Sequence, residues 1–377
     1  LTSLADRLQT GLQVVLLCVF SSDSFAIEYD MRAGVTDLSQ RIQGIHHMGF
    51  YVCVVVGIIV FGAMFYTMFA HRRSRHPEPA QFHESLTVEM IWTVIPILIL
   101  IVMAIPATLA LMEIEDNSNS DITVLITASQ WKWHYQYVEA DIGYYSNIAT
   151  PQDQIYNLEP KGVNYLLEVD RPLVLPTNKK IRFLTTSKDV IHSWWVPDFA
   201  VKQDAVPGFI NEAWTRVDEP GVFRGQCTEL CGKDHAFMPV VVEVIPEEEF
   251  DAWIADQRLA MALASETAVA DRNKEWAMSE LLPIGQNTFI SHCATCHQTD
   301  GMGQGIKYPA LAGSDITTGN IEDHLNRVMN GKEKTEMQAW APQLTDLEIA
   351  AVITYERNSW GNDTGDVVQP MTVYSAR

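Results

Sequence analysis

The chain has 377 residues, 47% of them apolar and 19% charged. That balance excludes a disordered chain, which would be charge-rich and apolar-poor, and the length predicts two or three domains. The 26 Lys and Arg against 47 Asp and Glu give a net charge of −21, which disfavours a nucleic-acid partner, because displacing counterions from phosphates takes basic residues.

In chain order, residues 1–26 read as a signal peptide. Arg7 is the early cation, Val14 to Phe20 is a short apolar core, and Ser24-Phe25-Ala26 is a small-residue cleavage site. Residues 27–112 predict a transmembrane hairpin. Two uncharged stretches of 23 residues, 48–70 and 90–112, are each long enough to cross a bilayer as a helix. Pro96 and Pro106 lie inside the second, where neighbouring helices can re-satisfy the freed carbonyls. The connecting loop carries His71-Arg72-Arg73-Ser74-Arg75-His76, which places it on the cytoplasmic side and everything after about Glu113 outside.

Residues 113–250 predict a β-domain. The stretch 122–245 is rich in Val, Ile, Thr, Tyr and Trp between turn residues, the pattern of a sandwich or barrel. In one strand Trp131, Trp133, Tyr135 and Tyr137 alternate with Lys132, His134 and Gln136, so period two puts the aromatics on one face. Residues 251–278 are helical and Ala-rich, a linker. Residues 279–360 contain several helical segments, and 361–377 read as a flexible tail.

Cys227-Thr-Glu-Leu-Cys231-Gly-Lys-Asp-His235-Ala-Phe-Met238 places two thiolates, an imidazole and a thioether within twelve residues. Soft sulfur ligands with imidazole and a weak Met point to copper electron transfer. Two cysteines invite two coppers bridged by the sulfurs. Such a centre needs a second His; His192, in Asp189-Val-Ile-His192-Ser-Trp, is preferred to His134, which sits mid-strand. The competing reading is a disulfide between Cys227 and Cys231.

Two membrane helices, an aromatic strand, D-V-I-H-S-W and C-x-E-x-C-G-x-x-H-x-x-M, in that order, closely resemble subunit II of haem–copper cytochrome c oxidases over residues 27–250. The resemblance implies a cupredoxin-like Greek-key β-barrel with a dinuclear CuA centre on His192, Cys227, the Glu229 backbone carbonyl, Cys231, His235 and Met238. It also implies that electrons enter through Trp131, that the Glu229 carboxylate lies near a Mg²⁺ at the interface with the catalytic subunit, and that Glu89 stands at the cytoplasmic mouth of a proton pathway. An acid at a helix's membrane edge is a functional candidate independently. Lys132 and His134 depart from the tyrosine and serine common in the family's aromatic strand, and Trp195 stands where a small residue is frequent.

Cys293-Ala-Thr-Cys296-His297 fits covalent attachment of a c-type haem, with His297 as the proximal ligand. Zinc and redox C-x-x-C pairs share part of this pattern. Gly285-x-x-x-Phe289 before it, Tyr308-Pro-Ala-Leu-Ala-Gly313 after it and the closing segment Leu347 to Arg357 resemble a small, all-α class I cytochrome c domain. The resemblance implies Met337, forty residues after His297, as sixth ligand, with Gln338 in place of the usual proline. Met329, on a helix face, and His324 are the alternatives, while Met302 is too close to the haem loop.

The expectation is a fused subunit II of a terminal cytochrome c oxidase. The resemblance implies as partners the catalytic subunit I, other oxidase subunits and a cytochrome donor. It implies a bacterial plasma membrane, with copper and haem on the periplasmic side. The acidic surface fits electrostatic steering of a basic donor. Two alternatives are the electron-input subunit of a CuA-type nitric oxide reductase and a membrane-anchored copper storage or delivery protein. The haem motif argues against the latter.

Overall fold

The structure, a computed structural model, describes residues 30–78, 80–333 and 335–377. The signal peptide expected at 1–26 lies outside the described residues. Among those described, two helices are long and apolar enough to cross a membrane, Asp37–Ala70 and Leu86–Ile114, and almost none of their apolar surface is covered by protein. Both extend beyond the uncharged stretches that announced them. At 1.5 Å per residue the 34-residue first helix outreaches a hydrocarbon core of about 30 Å. Its first turn is therefore free to dock on the β-domain. A capping box closes that turn, Thr36 Oγ1 accepting from the Ser39 N–H and Ser39 Oγ from the Thr36 N–H, and the Val35 N–H donates to the Asp198 carbonyl at 3.1 Å. At the end of the second helix the Glu113 carbonyl accepts from Trp214 Nε1 at 2.9 Å, and its carboxylate pairs with Arg41. The two helix ends touching the β-domain thus share one side, and the Arg-rich loop lies on the other. Pro96 and Pro106 are accommodated within the second helix.

The β-domain has two five-stranded sheets. In chain order the strands are β1 (Ile122–Ser129), β2 (Lys132–Tyr137), β3 (Ile142–Ser146), β4 (Leu173–Pro176), β5 (Ile181–Ser187), β6 (His192–Val196), β7 (Val201–Ala205), β8 (Asn211–Thr215), β9 (Gly221–Cys227) and β10 (Pro239–Ile245). One sheet is ordered β3-β2-β1-β5-β8 and the other β4-β10-β9-β6-β7. The pairs β1–β5 and β10–β4 are parallel and the rest antiparallel. Non-sequential neighbours in each sheet make this the expected Greek-key arrangement. Trp133, Tyr135, Phe183 and Trp194 fill its interior, each large side chain contributing about 1.5–3 kcal/mol by leaving water.

The aromatic strand needs one correction. Trp131 is in the turn before β2 and is half-buried, while Trp133, Tyr135 and Tyr137 face the core. Lys132, on the opposite face from these aromatics, is also buried. Its ammonium lies 4.4 Å from the ring centroid of Trp340 and 5.6 Å from that of Tyr145. The outer face of this strand is covered by the helical C-terminal region, so alternation within the strand does not decide exposure.

Helix Glu247–Asn273 joins the two halves. Near its start Phe250 and Trp253 pack against Tyr137 and Tyr144. At its end Arg272 pairs with Asp346 at 3.2 Å. A second core follows, built mainly by helices Met278–His292, Ile321–Asn330 and Asp346–Arg357. The tail 361–377 is not a loose end. It forms helix Pro370–Ala376, buries Val368 and Val373 in this core, and bonds Arg377 to Asp346 and the Leu344 carbonyl. Two valines suffice to dock so short a segment, although it shows no extended periodicity.

Helix Met278–His292 crosses Asp346–Arg357 at Gly285, where a Cβ would stand 2.1 Å from the Ala351 carbonyl oxygen. Gly285→Ala should therefore overpack the crossing and destabilise the C-terminal core by about 1–3 kcal/mol, measured by calorimetry on the full chain. A second expectation concerns Lys132. Burial pushes its ammonium down to about 7, against an opposing pull from Asp189. The unfolded chain keeps this proton up to the ordinary lysine range, so stability should rise with pH between about 7 and 10. Lys132→Met should remove that rise and stabilise the chain below pH 7 by on the order of 1–4 kcal/mol; thermal unfolding at pH 6 and 9 checks both.

Candidate metal and haem sites

The first site sits where β6, β9 and β10 meet. His192 opens β6, Cys227 closes β9, and the register pairs Trp194 with Cys227. The loop 228–238 returns to β10 and is closed at its base by the Cys227 N–H donating to the Met238 carbonyl at 3.0 Å. Within it, Thr228 N–H donates to the Ser193 carbonyl at 3.1 Å, tying the loop to β6. Two rigid strands and a short loop thus bring distant residues together.

The His192, Cys227 and Cys231 ligand atoms lie within 4.8 Å of one another, all buried. The sulfurs are 3.8 Å apart as free thiols, so the disulfide reading does not hold. Cys227 Sγ is 3.9 Å from His192 Nδ1, Cys231 Sγ is 3.5 Å from His235 Nδ1, and the Glu229 carbonyl lies 3.4 Å from Cys227 Sγ. Met238 is buried beneath the loop. The structure brings His192, not His134, to the sulfurs; His134 packs on Tyr145, its ring centroid 4.7 Å away. A hydrogen bond from Cys231 holds the Cys227 thiol well below its ordinary value, and the same bond raises Cys231. One proton is shared between two sulfurs, a site ready to exchange it for a cation. This donor set of two sulfurs and two imidazoles fits copper.

Asp189, three residues before His192, has a role that the spacing of the metal ligands does not reveal. Its Oδ1 is 3.0 Å from His192 Nε2. A proton on Nε2 leaves Nδ1 with its lone pair towards the sulfurs, the outer support that metal-binding histidines commonly have. Burial works to raise the Asp189 carboxyl, but hydrogen bonds from His192, Gln130 and Val190 outweigh it and hold the group low. A carboxylate three residues before the His was the available signal. Trp131 touches the site, its Nε1 donating to the Cys231 carbonyl at 3.2 Å. Glu229 turns its side chain to solvent. Glu89 lies in the first turn of the second membrane helix, 3.3 Å from the Ser85 N–H, so it also caps that helix.

The second site follows helix Met278–His292. Cys293 ends that helix and the turn Ala294–His297 carries the rest of the motif. His297 Nδ1 lies 2.9 Å from the Pro309 carbonyl, so it donates there and leaves Nε2 free as a ligand. Burial pushes both Cys293 and Cys296 thiols up, unlike the low thiols of redox C-x-x-C pairs. Met337 is partly buried and packs against the core that contains Trp340. His324 is buried with Nε2 2.8 Å from Glu356, Met329 is buried in the core and Met302 is exposed. The residues fit a covalently held haem, with Met337 the available thioether.

Three family models match. Residues 24–110 match the cytochrome c oxidase subunit II transmembrane domain, 122–245 its periplasmic domain, and 281–355 cytochrome c oxidase cbb3-type subunit III. The probable cytochrome c oxidase subunit 2 of Rickettsia felis is 36% identical over 253 residues, covering 65% of this chain and 79% of that protein. Cytochrome c oxidase subunit 2 of Cereibacter sphaeroides is 35% identical over 225 residues, 56% of this chain and 74% of the relative. The solved periplasmic domain of cytochrome oxidase subunit II from Bradyrhizobium japonicum is 40% identical, covering 38% of this chain and 96% of that one, with a TM-score of 0.34. The chain belongs to the cytochrome c oxidase subunit II family and carries a cytochrome c domain fused after its β-domain.

Proposed function

We propose that the chain is the electron inlet of a dioxygen-reducing terminal oxidase. A covalent haem c and a dinuclear CuA centre, when bound, supply one-electron redox chemistry between an external cytochrome and the catalytic subunit. The observation that carries this reading is the buried cluster of His192, Cys227 and Cys231 within 4.8 Å, in a chain of this family.

Cys227 and Cys231 would hold the copper pair through their sulfurs, with His192, His235, Met238 and the Glu229 carbonyl completing the set. The strands fix those donors, so little rearrangement accompanies a change of charge. Asp189 orients His192. Cys293 and Cys296 would anchor the haem, and His297, held by Pro309, and Met337 would bind its iron. Trp131, bonded to the Cys231 carbonyl, would be a contact through which electrons enter. The exposed Glu229 carboxylate would help hold Mg²⁺ against subunit I, and Glu89 would serve a proton pathway at the cytoplasmic membrane edge. The two helices anchor the chain in a bacterial plasma membrane with both sites outside.

Purification with partner subunits, metal and haem analysis and an oxygen-uptake assay test this. Oxygen consumption driven by reduced cytochrome is expected; nitric oxide consumption without it would instead favour a nitric oxide reductase. Met238→Leu should shift the copper spectrum and potential while leaving the haem spectrum intact. Cys293→Ala with Cys296→Ala should leave a membrane-inserted chain that loses all haem stain on a denaturing gel.

A further inference from the structure

The two sites meet at a seam whose centre is Gln130, in the turn between β1 and β2 and nearly buried. Its N–H donates to Asp189 Oδ2 at 2.7 Å, its side-chain Nε2 donates to the Cys231 carbonyl at 2.7 Å, and its own carbonyl accepts from Gln338 Nε2 at 3.0 Å. One residue therefore touches the support of His192, the backbone of Cys231 and the neighbour of Met337. The Gln338 amide is itself oriented, because its Oε1 accepts from Gln343 Nε2 at 3.0 Å, which turns its NH₂ group towards Gln130. Gly232 leaves the space this needs; a Cβ there would stand 2.8 Å from Gln130 Nε2. A second strap runs from Lys233 Nζ to the Thr295 carbonyl at 2.7 Å, inside the Cys293–Cys296 motif. Both loops that follow a copper-ligating cysteine or precede a haem-ligating histidine are thus tied across the seam.

We propose that Gln130 and Gln338 are positioning residues that hold the Met337 loop against the Cys231 loop and so set the path for electron transfer between the two centres. The proposal rests on the reading that both centres are loaded. The transfer they position moves one electron, oxidising the haem side and reducing the copper side, with no bond made or broken. Gln338 matters through its N–H donor and not through its size, since the partner is a backbone carbonyl that no substitution removes. A proline at this position would have no donor to offer.

The test uses the full chain purified with its partner subunits. Gln338→Glu keeps the shape, loses the donor and sets a carboxylate against the Gln130 carbonyl; Gln338→Lys keeps a donor. Two readouts apply. Hydrogen exchange of peptides spanning 128–134 and 335–341 reports the seam, and absorption after flash reduction of the haem by a ruthenium polypyridyl photoreductant reports haem-to-copper transfer. With Gln338→Glu both peptides should exchange faster and transfer should slow by about fivefold or more, the loss of one hydrogen bond from the docked arrangement. Gln338→Lys should restore both. If either readout is unmoved in Gln338→Glu while haem and copper bands are intact, the proposal is overturned. Missing haem or copper bands in the parent protein would instead overturn the reading of the two centres, before any variant is made.

Discussion

Two sulfurs 3.8 Å apart and out of water impose the constraint on which the rest of the β-domain depends. They cannot both ionise alone, because two like charges so close in a weakly screening interior repel strongly. A cation placed between them reverses the sign of the problem and makes two thiolates the favoured state. The strands exist, functionally, to keep the sulfurs in this arrangement. Cys227 belongs to β9 and is hydrogen-bonded in the ladder, His192 begins the neighbouring β6, and Met238 leads into β10. Moving His192 or Cys227 means sliding a strand of the sheet, and the loop that carries Cys231 and His235 is tied to those strands at Thr228 and Met238, so the arrangement resists displacement.

The outer surface of the same region has a different task. Lys132 is buried where an uncharged side chain would cost less, and its ammonium stands over two aromatic faces, Trp340 from the helical region and Tyr145 from β3. A cation over a ring is attracted by the ring's negative face, but this contact does not cancel desolvation. His292, across the seam, is also pushed down by burial and then by Lys132. The seam is therefore electrostatically tense, and its cohesion comes from directed hydrogen bonds at Gln130 and Lys233.

Much of the copper site was legible because its ligands are local: Cys227 to Met238 is one loop, and spacing alone brings its donors near each other. His192 lies on another strand; its place at a strand end favoured it over the mid-strand His134, but the pairing of β6 with β9 that brings it to Cys227 is not written in the spacing. Asp189 was visible as a letter, but its role arises only when the turn before β6 aims its carboxylate at the imidazole. The haem motif was legible for the same local reason, whereas Met337 and Cys293 come to one core only through the packing of the helical region. The tail 361–377 reads as flexible because it carries no periodicity of its own, while its burial, like that of Lys132, is decided by surfaces distant in sequence.

Helix Glu247–Asn273 decides how the fused haem region can serve its neighbour. A flexible tether would hold a domain nearby at millimolar effective concentration, and every encounter would still require an orientation search. Here the helix begins among the aromatics of the β-domain, at Phe250 and Trp253, and ends on Asp346 through Arg272. Asp346 is also held by Arg377, and Gln369 brackets Trp276 with two backbone hydrogen bonds. Linker, second core and tail are thereby one body, so the orientation is set on folding. A cytochrome c domain fixed in this way presents the same edge, around Thr295 and Gln338, to the loop 228–238 and the turn at Gln130 whenever the chain is folded.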